Sequence, residues 1–178
     1  MKAKVSVILP SLNVADYIEE CLDSVTGQTL EELEILCIDA GSTDGTLEIL
    51  QRYAKKDRRI RLFHSDKRSY GYQINLGIDQ ASGEYLGIVE TDDYIESRMY
   101  EELYKAASEK DLDYVKAGFD VFITPGMGER YCLRYSMPDV NQVISSEYFI
   151  GKALSNDIYI WNGIYRLSFL KEHDVRLN

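Results

Sequence analysis

The sequence predicts an α/β fold, a mostly parallel sheet with helices on both faces, followed by a small irregular C-terminal portion. Three observations predict it. Over roughly the first 120 residues, short β-branched apolar runs alternate with segments of helical period, at the lengths of βαβ units. Each apolar run ends in a loop rich in Asp, Asn, Ser, Lys or Arg, and in a parallel sheet such loops converge outside the carboxyl ends of the strands. After Gly118 the alternation stops and the chain becomes richer in aromatic residues. Residues 1–118 are therefore read as a ligand-binding α/β portion and 119–178 as a second portion of the same domain, with no repeat or low-complexity linker between them.

The elements follow in order. Lys4–Leu9 is β-branched and reads as a strand ended by Pro10, with Pro10–Asn13 as its loop. Ile18, Cys21, Leu22 and Val25 repeat at helical spacing over Asp16–Val25, with Asn13 or Asp16 as cap and Gly27 as the closing C′ residue. Leu33–Ile38 is a second strand, ending at Asp39. The small and polar residues from Ala40 to Thr46 form a tight loop able to approach a ligand, and Asp44 is the expected cap of a helix carrying Leu47, Leu50 and Ala54. Lys and Arg fill four of the five positions Lys55–Arg59, which suits the end of that helix. Ile60–Phe63 is a third strand, His64–Gly71 a polar loop, and Tyr72–Ala81 a helix with Ile74, Gly77, Ile78 and Ala81 on one face. Glu84–Val89 is the next strand, Met99, Leu103, Ala106 and Ala107 mark a helix, and Asp113–Lys116 is another strand. Beyond Gly118, Phe119–Ile123 and Tyr131–Tyr135 read as strands joined by a hairpin-type turn over 124–128. Ser145–Leu154 reads as a helix and Leu167–Glu172 as a final one.

Bulk properties limit the function. The 178 residues suffice for one domain with a substantial core, and 45% hydrophobic with 28% charged residues describes a globular chain. A formal net charge of −10 argues against a nucleic-acid backbone as partner but not against a nucleotide held through a metal. No uncharged apolar run approaches the ~18 residues of a spanning helix, and Met1–Lys4 leads into a strand without a signal-peptide pattern. Cys21, Cys37 and Cys132 lack paired spacing and read as reduced thiols, which points to the cytoplasm.

The stretch with the most chemistry is Tyr85–Tyr94, where an apolar run meets three carboxylates within four residues, Glu90, Asp92 and Asp93. Crowded carboxylates repel one another, and a hard divalent cation relieves that repulsion while leaving positions for water and phosphate oxygens. One reading is a Mg²⁺ or Mn²⁺ site that holds a diphosphate. The other is a solvated acidic turn, with Asp93 or Ser97 capping the helix that starts near Arg98.

Five segments together resemble the family 2 glycosyltransferases of GT-A fold, a Rossmann-like arrangement that binds nucleotide-sugars. Val5–Asn13 is similar to the family's first strand and loop, and Asp39–Gly45 to its Asp-Asp-Gly-Ser-Thr-Asp-Gly loop. Asn75–Ile78 with Ala81–Tyr85 is similar to the segment before the metal motif, and Glu90–Asp93 to the Asp-x-Asp-Asp motif. Trp161-Asn162 with Tyr165-Arg166 and Phe169-Leu170 is similar to a downstream block. The resemblance implies an inverting, metal-assisted transfer from a nucleotide-diphosphate sugar, with UDP as the expected nucleotide, to a hydroxyl of a glycan or lipid-linked acceptor in surface polysaccharide or glycoconjugate synthesis. It implies that Pro10, Leu12, Asn13 and Asp39 hold the nucleoside, that Tyr70 or Gly71 closes over it, and that Asp92 contacts ribose or metal. It also implies that Asp93, with Asp92 and Glu90, ligates Mn²⁺ or Mg²⁺, and that Trp161 and Asn162 line the acceptor site, although Trp161 also reads as core. A location peripheral to the inner membrane face and a homo-oligomer are compatible with it.

The sequence departs from the family pattern at several points. Leu12 stands where an aromatic usually packs on the base, Ala40 where a second Asp is common, Glu90 where the metal motif begins with Asp, and Ile74 where an Arg is frequent. The family's catalytic base follows the last matched block. Asp157 is the substitute within these residues, and the resemblance otherwise implies a truncated chain whose base lies beyond Asn178. Two alternatives stay open, a sugar-phosphate nucleotidyltransferase and a non-catalytic nucleotide-sugar-binding module. The first calls for a Gly-rich basic loop after the first strand, and Pro10–Asn13 has neither glycine nor basic residue.

Overall fold

The protein is described from a computed structural model over residues 2–123, 131–135, 142–145 and 159–178. Its main sheet has six strands in the order β3 (Ile60–His64), β2 (Leu33–Asp39), β1 (Val5–Ser11), β4 (Tyr85–Ile88), β8 (Gly163–Arg166) and β5 (Tyr114–Lys116). The β3-β2-β1-β4 pairs are parallel. β8 runs antiparallel to both of its neighbours, so the sheet is mostly parallel, as expected. β6 (Phe119–Ile123) and β7 (Tyr131–Tyr135) form a separate antiparallel pair. After that pair the chain returns to place β8 inside the main sheet, a crossing that nothing in the local sequence announces.

The core lies in two layers, because alternate strand residues face opposite ways. On one face Val5, Val7, Leu9, Ile35, Cys37 and Tyr85 pack against α1 (Ile18–Thr26), α2 (Thr46–Ala54) and α4 (Met99–Glu109). On the other, Ile8, Leu36, Ile38, Leu86 and Ile88 pack against α3 (Tyr70–Gln80) and α5 (Leu167–Glu172). Burial of both sheet faces explains why the central strands read as continuous apolar runs.

Several boundaries differ from the sequence reading for identifiable reasons. Pro10 does not end β1, which pairs with β2 through Ser11↔Asp39. The Pro10 carbonyl points to the β4 side, where it accepts from Thr91 Oγ1. The ladder with β4 has stopped at Ile88, so the missing N–H leaves no bond unmade. Helix α1 starts at Ile18 without a side-chain cap from Asn13 or Asp16, and Gly27 closes it at φ −82° rather than in a left-handed conformation. Asp44 is not the N-cap of α2. Gly45 is, at φ +104°, and Asp44 accepts from the Thr46 backbone N–H one position further on. Ser69 caps α3 by accepting from Tyr72 N, so Tyr70 and Gly71 belong to the first helical turn and not to the loop before it. α4 begins after Arg98 with no side-chain cap, so neither Asp93 nor Ser97 plays that part. The 124–128 turn lies outside the described residues. So does the helix expected over 145–154, apart from Ser145, which is in neither helix nor strand.

Candidate active site

The sheet order reverses at β1, which has β2 on one side and β4 on the other. Such a switch point opens a crevice beyond the carboxyl ends of the strands. The loops after β1 and β2, the acidic turn after β4 and the first turn of α3 meet there.

The first two loops are tied together by hydrogen bonds. Asn13 adopts a left-handed φ of 55°, donates its N–H to Ser42 Oγ (3.0 Å) and accepts from Thr43 N with Oδ1 (2.9 Å). Val14 N donates to Thr46 Oγ1 (2.9 Å) and Ala15 N to Asp44 Oδ2 (3.0 Å). Asp39 is only 2% exposed and accepts from Gly41 N and Ser42 N, so its carboxylate shapes the turn from beneath. Gly41 takes φ +81° there, a conformation that a side chain would strain. Ala40 is buried as well, so a small residue fits this position. Beneath both loops, buried Gln73 donates from one amide nitrogen to Ser11 O (3.1 Å) and Ile38 O (2.7 Å). Leu12 is half-buried between these elements.

The acidic turn is built differently. Buried Thr91 anchors it to Pro10 O (2.8 Å), and Asp93 N donates to Glu90 O (3.0 Å). The residues Asp92 and Asp93 are exposed. Partial desolvation of the carboxyl, then repulsion from Asp92, raises the Asp93 pKa above the ordinary carboxylate value. Burial also raises that of Glu90, against the hydrogen bond from Tyr70 that lowers it and with Asp92 and Asp93 adding to the rise. Tyr94 stacks on Phe122 with ring centroids 5.9 Å apart. Among the described residues, no three His, Cys, Asp or Glu side chains are gathered as a ready-made metal set. The oxygen donors of Asp92 and Asp93 nevertheless suit a hard divalent cation that takes its remaining ligands from water and phosphate.

Tyr70 reaches across the crevice and donates its hydroxyl to Glu90 Oε1. Gly71 lies under the end of the chain, where a Cβ would stand 2.6 Å from Asn178 O. Asn75 holds that segment by donating to Leu177 O (2.7 Å) and accepting from Leu177 N (2.9 Å). Ile74 is fully buried among the second core layer, where an arginine would have to be desolvated.

The residues Trp161 and Asn162 sit away from these loops in sequence and are built into the sheet margin. Trp161 is half-buried and packs edge-on against Phe119 (4.9 Å). Asn162 is 2% exposed; its Nδ2 donates to Ala117 O (3.1 Å), while Oδ1 has no partner among the described residues. Asp157 lies outside the described residues.

The structure sets Pro10, Asn13, Asp39, Tyr70 and Glu90 around one crevice through the contacts above, with Leu12, Asp92 and Asp93 on the loops that border it. Sequence reading missed Gln73, Thr91 and Thr46 as supports of that crevice. Gln73 carried a signal, since it lies beside Ile74, Gly77 and Ile78 on a helix face that is otherwise apolar.

The sequence profile described as "Glycosyl transferase family 2" matches residues 6–164. The chain belongs to glycosyl transferase family 2. It is 43% identical over 115 residues to the uncharacterized glycosyltransferase EpsJ of Bacillus subtilis, covering 65% of this chain and 33% of that protein. It is 31% identical over 180 residues to the uncharacterized glycosyltransferase YibD of Escherichia coli, covering 97% of this chain and 51% of that protein. Among solved structures, S. aureus TarS 1-349 in complex with UDP-GlcNAc superposes with a TM-score of 0.78 at 27% identity, covering 98% of this chain and 48% of that one. The chain therefore spans between a third and a half of the length of these relatives.

Proposed function

We propose that the chain carries the donor site of a glycosyltransferase that moves a sugar from a UDP-sugar to an acceptor hydroxyl with inversion, assisted by Mn²⁺ or Mg²⁺. The observation that carries this reading is the pairing, across one crevice, of a buried turn-capping carboxylate at the end of β2 (Asp39) with two exposed carboxylates after β4 (Asp92, Asp93). Asp39 keeps acceptor capacity beyond the two backbone N–H groups it binds, which suits a donor N–H or O–H of the base or ribose. Pro10 and Leu12 offer an apolar floor, and Asn13 locks that floor to the second loop. When bound, the cation offsets the charge that develops on the departing diphosphate. Asp92 and Asp93 would hold it, and Asp92 would also meet the ribose.

Similarity to a protein crystallised with UDP-GlcNAc supports uridine as the base, and the relatives' names support glycosyl transfer. A glycan or lipid-linked acceptor would approach from the side of Trp161 and Asn162. Among the described residues no helix is long and apolar enough to cross a membrane, so association with a membrane face would be peripheral for this part of the protein.

Calorimetric titration of UDP with and without Mn²⁺ tests the reading. The expected result is binding that Mn²⁺ strengthens in the wild type and not in an Asp92→Ala/Asp93→Ala variant. Absence of UDP binding by the wild type under both conditions would overturn it.

A further inference from the structure

We infer that Tyr70 is a positioning residue that holds Glu90 apart from the cation, leaving Asp92 and Asp93 as the protein's metal ligands; this rests on the donor-site reading above. Tyr70 opens α3, and Glu90 opens the acidic turn, 20 residues later and on the other side of the crevice. The Tyr70 hydroxyl donates to Glu90 Oε1. Among the described residues, the Glu90 carboxylate accepts from the Tyr70 side chain, whereas the Asp92 and Asp93 carboxylates accept from no side chain. Glu90 is thus turned to Tyr70 while the charges of Asp92 and Asp93 still act on it, and among the described residues no three acids are gathered as a metal set.

Two chemical arguments assign the direction of the effect. A carboxylate that accepts a hydroxyl proton has one oxygen committed, and turning that oxygen to a cation means giving up the bond. The glutamate side chain is also one methylene longer than aspartate. The additional carbon gives Glu90 the reach to Tyr70, and an aspartate at this position would fall short of the hydroxyl. The length of residue 90 and the tyrosine at residue 70 are thus two halves of one device. Tyr70 is 39% exposed and Glu90 half-buried, so the ring can keep its place when the hydroxyl is removed.

The test uses the nucleotide-free protein and Mn²⁺ alone, with affinity read by calorimetry and by the electron paramagnetic resonance of free Mn²⁺. Tyr70→Phe releases Glu90 to join the aspartates, and because an added carboxylate raises the ligand charge, the expected result is tighter Mn²⁺ binding, by a factor on the order of 10. Adding Glu90→Gln to Tyr70→Phe should remove that gain. Glu90→Gln alone should leave Mn²⁺ affinity near the wild-type value. Unchanged or weaker Mn²⁺ binding by Tyr70→Phe, or a loss on Glu90→Gln alone, would overturn the inference. A parallel UDP titration separates the two claims. If UDP binds but the metal results go the wrong way, the positioning role fails and the donor site stands. If wild type fails to bind UDP, the donor-site reading fails whatever the metal results.

Discussion

The two sides of the crevice are constructed on opposite principles. On the β1–β2 side the polar groups satisfy one another. Asn13, Asp39, Asp44, Ser42 and Thr46 bind backbone N–H groups across two loops, and Gln73 closes two strand-end carbonyls from below. On the β4 side, Thr91 and the Asp93 N–H fix the backbone, while Asp92 and Asp93 stand at the surface and Asp93 is held above its ordinary pKa by partial desolvation and by its neighbour. On the proposed reading, the first side is preformed for the nucleoside, and the second is completed by a cation and a diphosphate.

Substitutions should separate the sides by their cost in stability. The largest loss is expected for Asp39→Ala, which strips two N–H groups in a partly buried turn of their acceptor and should lower unfolding free energy by about 3 kcal/mol. Asp39→Asn keeps one acceptor oxygen and should lose about half as much, as urea denaturation would read. Gln73→Ala should cost about 2 kcal/mol, because Ser11 O and Ile38 O lose a buried donor. Asn75→Ala removes both bonds to the Leu177 backbone at a partly buried site and should cost about 1 kcal/mol. A smaller effect, confined to acid, is expected from Glu34, remote from the crevice. Burial raises its pKa, but hydrogen bonds from Ser6, Ser82 and Arg61 outweigh that and hold it below its ordinary value of 4.5. Its stabilisation is therefore present above that value and lost as pH falls through the lower folded value. Glu34→Gln should flatten the acid limb of the stability–pH curve. The smallest change is expected for Asp92→Ala/Asp93→Ala, within about 0.5 kcal/mol of wild type, despite its loss of the Mn²⁺ effect on UDP. A large destabilisation there would mean that the acidic turn is structural and would break the comparison.

Much of this was legible in the sequence, for reasons that the structure makes clear. Strands buried on both faces announce themselves as apolar runs, and carboxylates at a strand end are conspicuous, so β1, β2, β4 and the acidic turn were placed within a few residues. Caps were misplaced where a side chain had a longer-range partner. Asn13 was read as a local cap but bonds Thr43, 30 residues away, and Asp44 serves both Thr46 and Ala15. Long-range contacts of that kind carry no local period. The insertion of β8 between β4 and β5 was hidden for the same cause, since strand order is decided by tertiary pairing. The tie between Tyr70 and Glu90 was also invisible, although each residue had separately been placed at the site.

The proposed division between a preformed nucleoside side and a cation-dependent diphosphate side is tested most directly by calorimetry of uridine and UDP, each with and without Mn²⁺. Uridine should bind weakly and with the same affinity in both conditions, while UDP should bind more tightly when Mn²⁺ is present. Uridine binding that requires Mn²⁺, or UDP binding indifferent to it, would contradict the account.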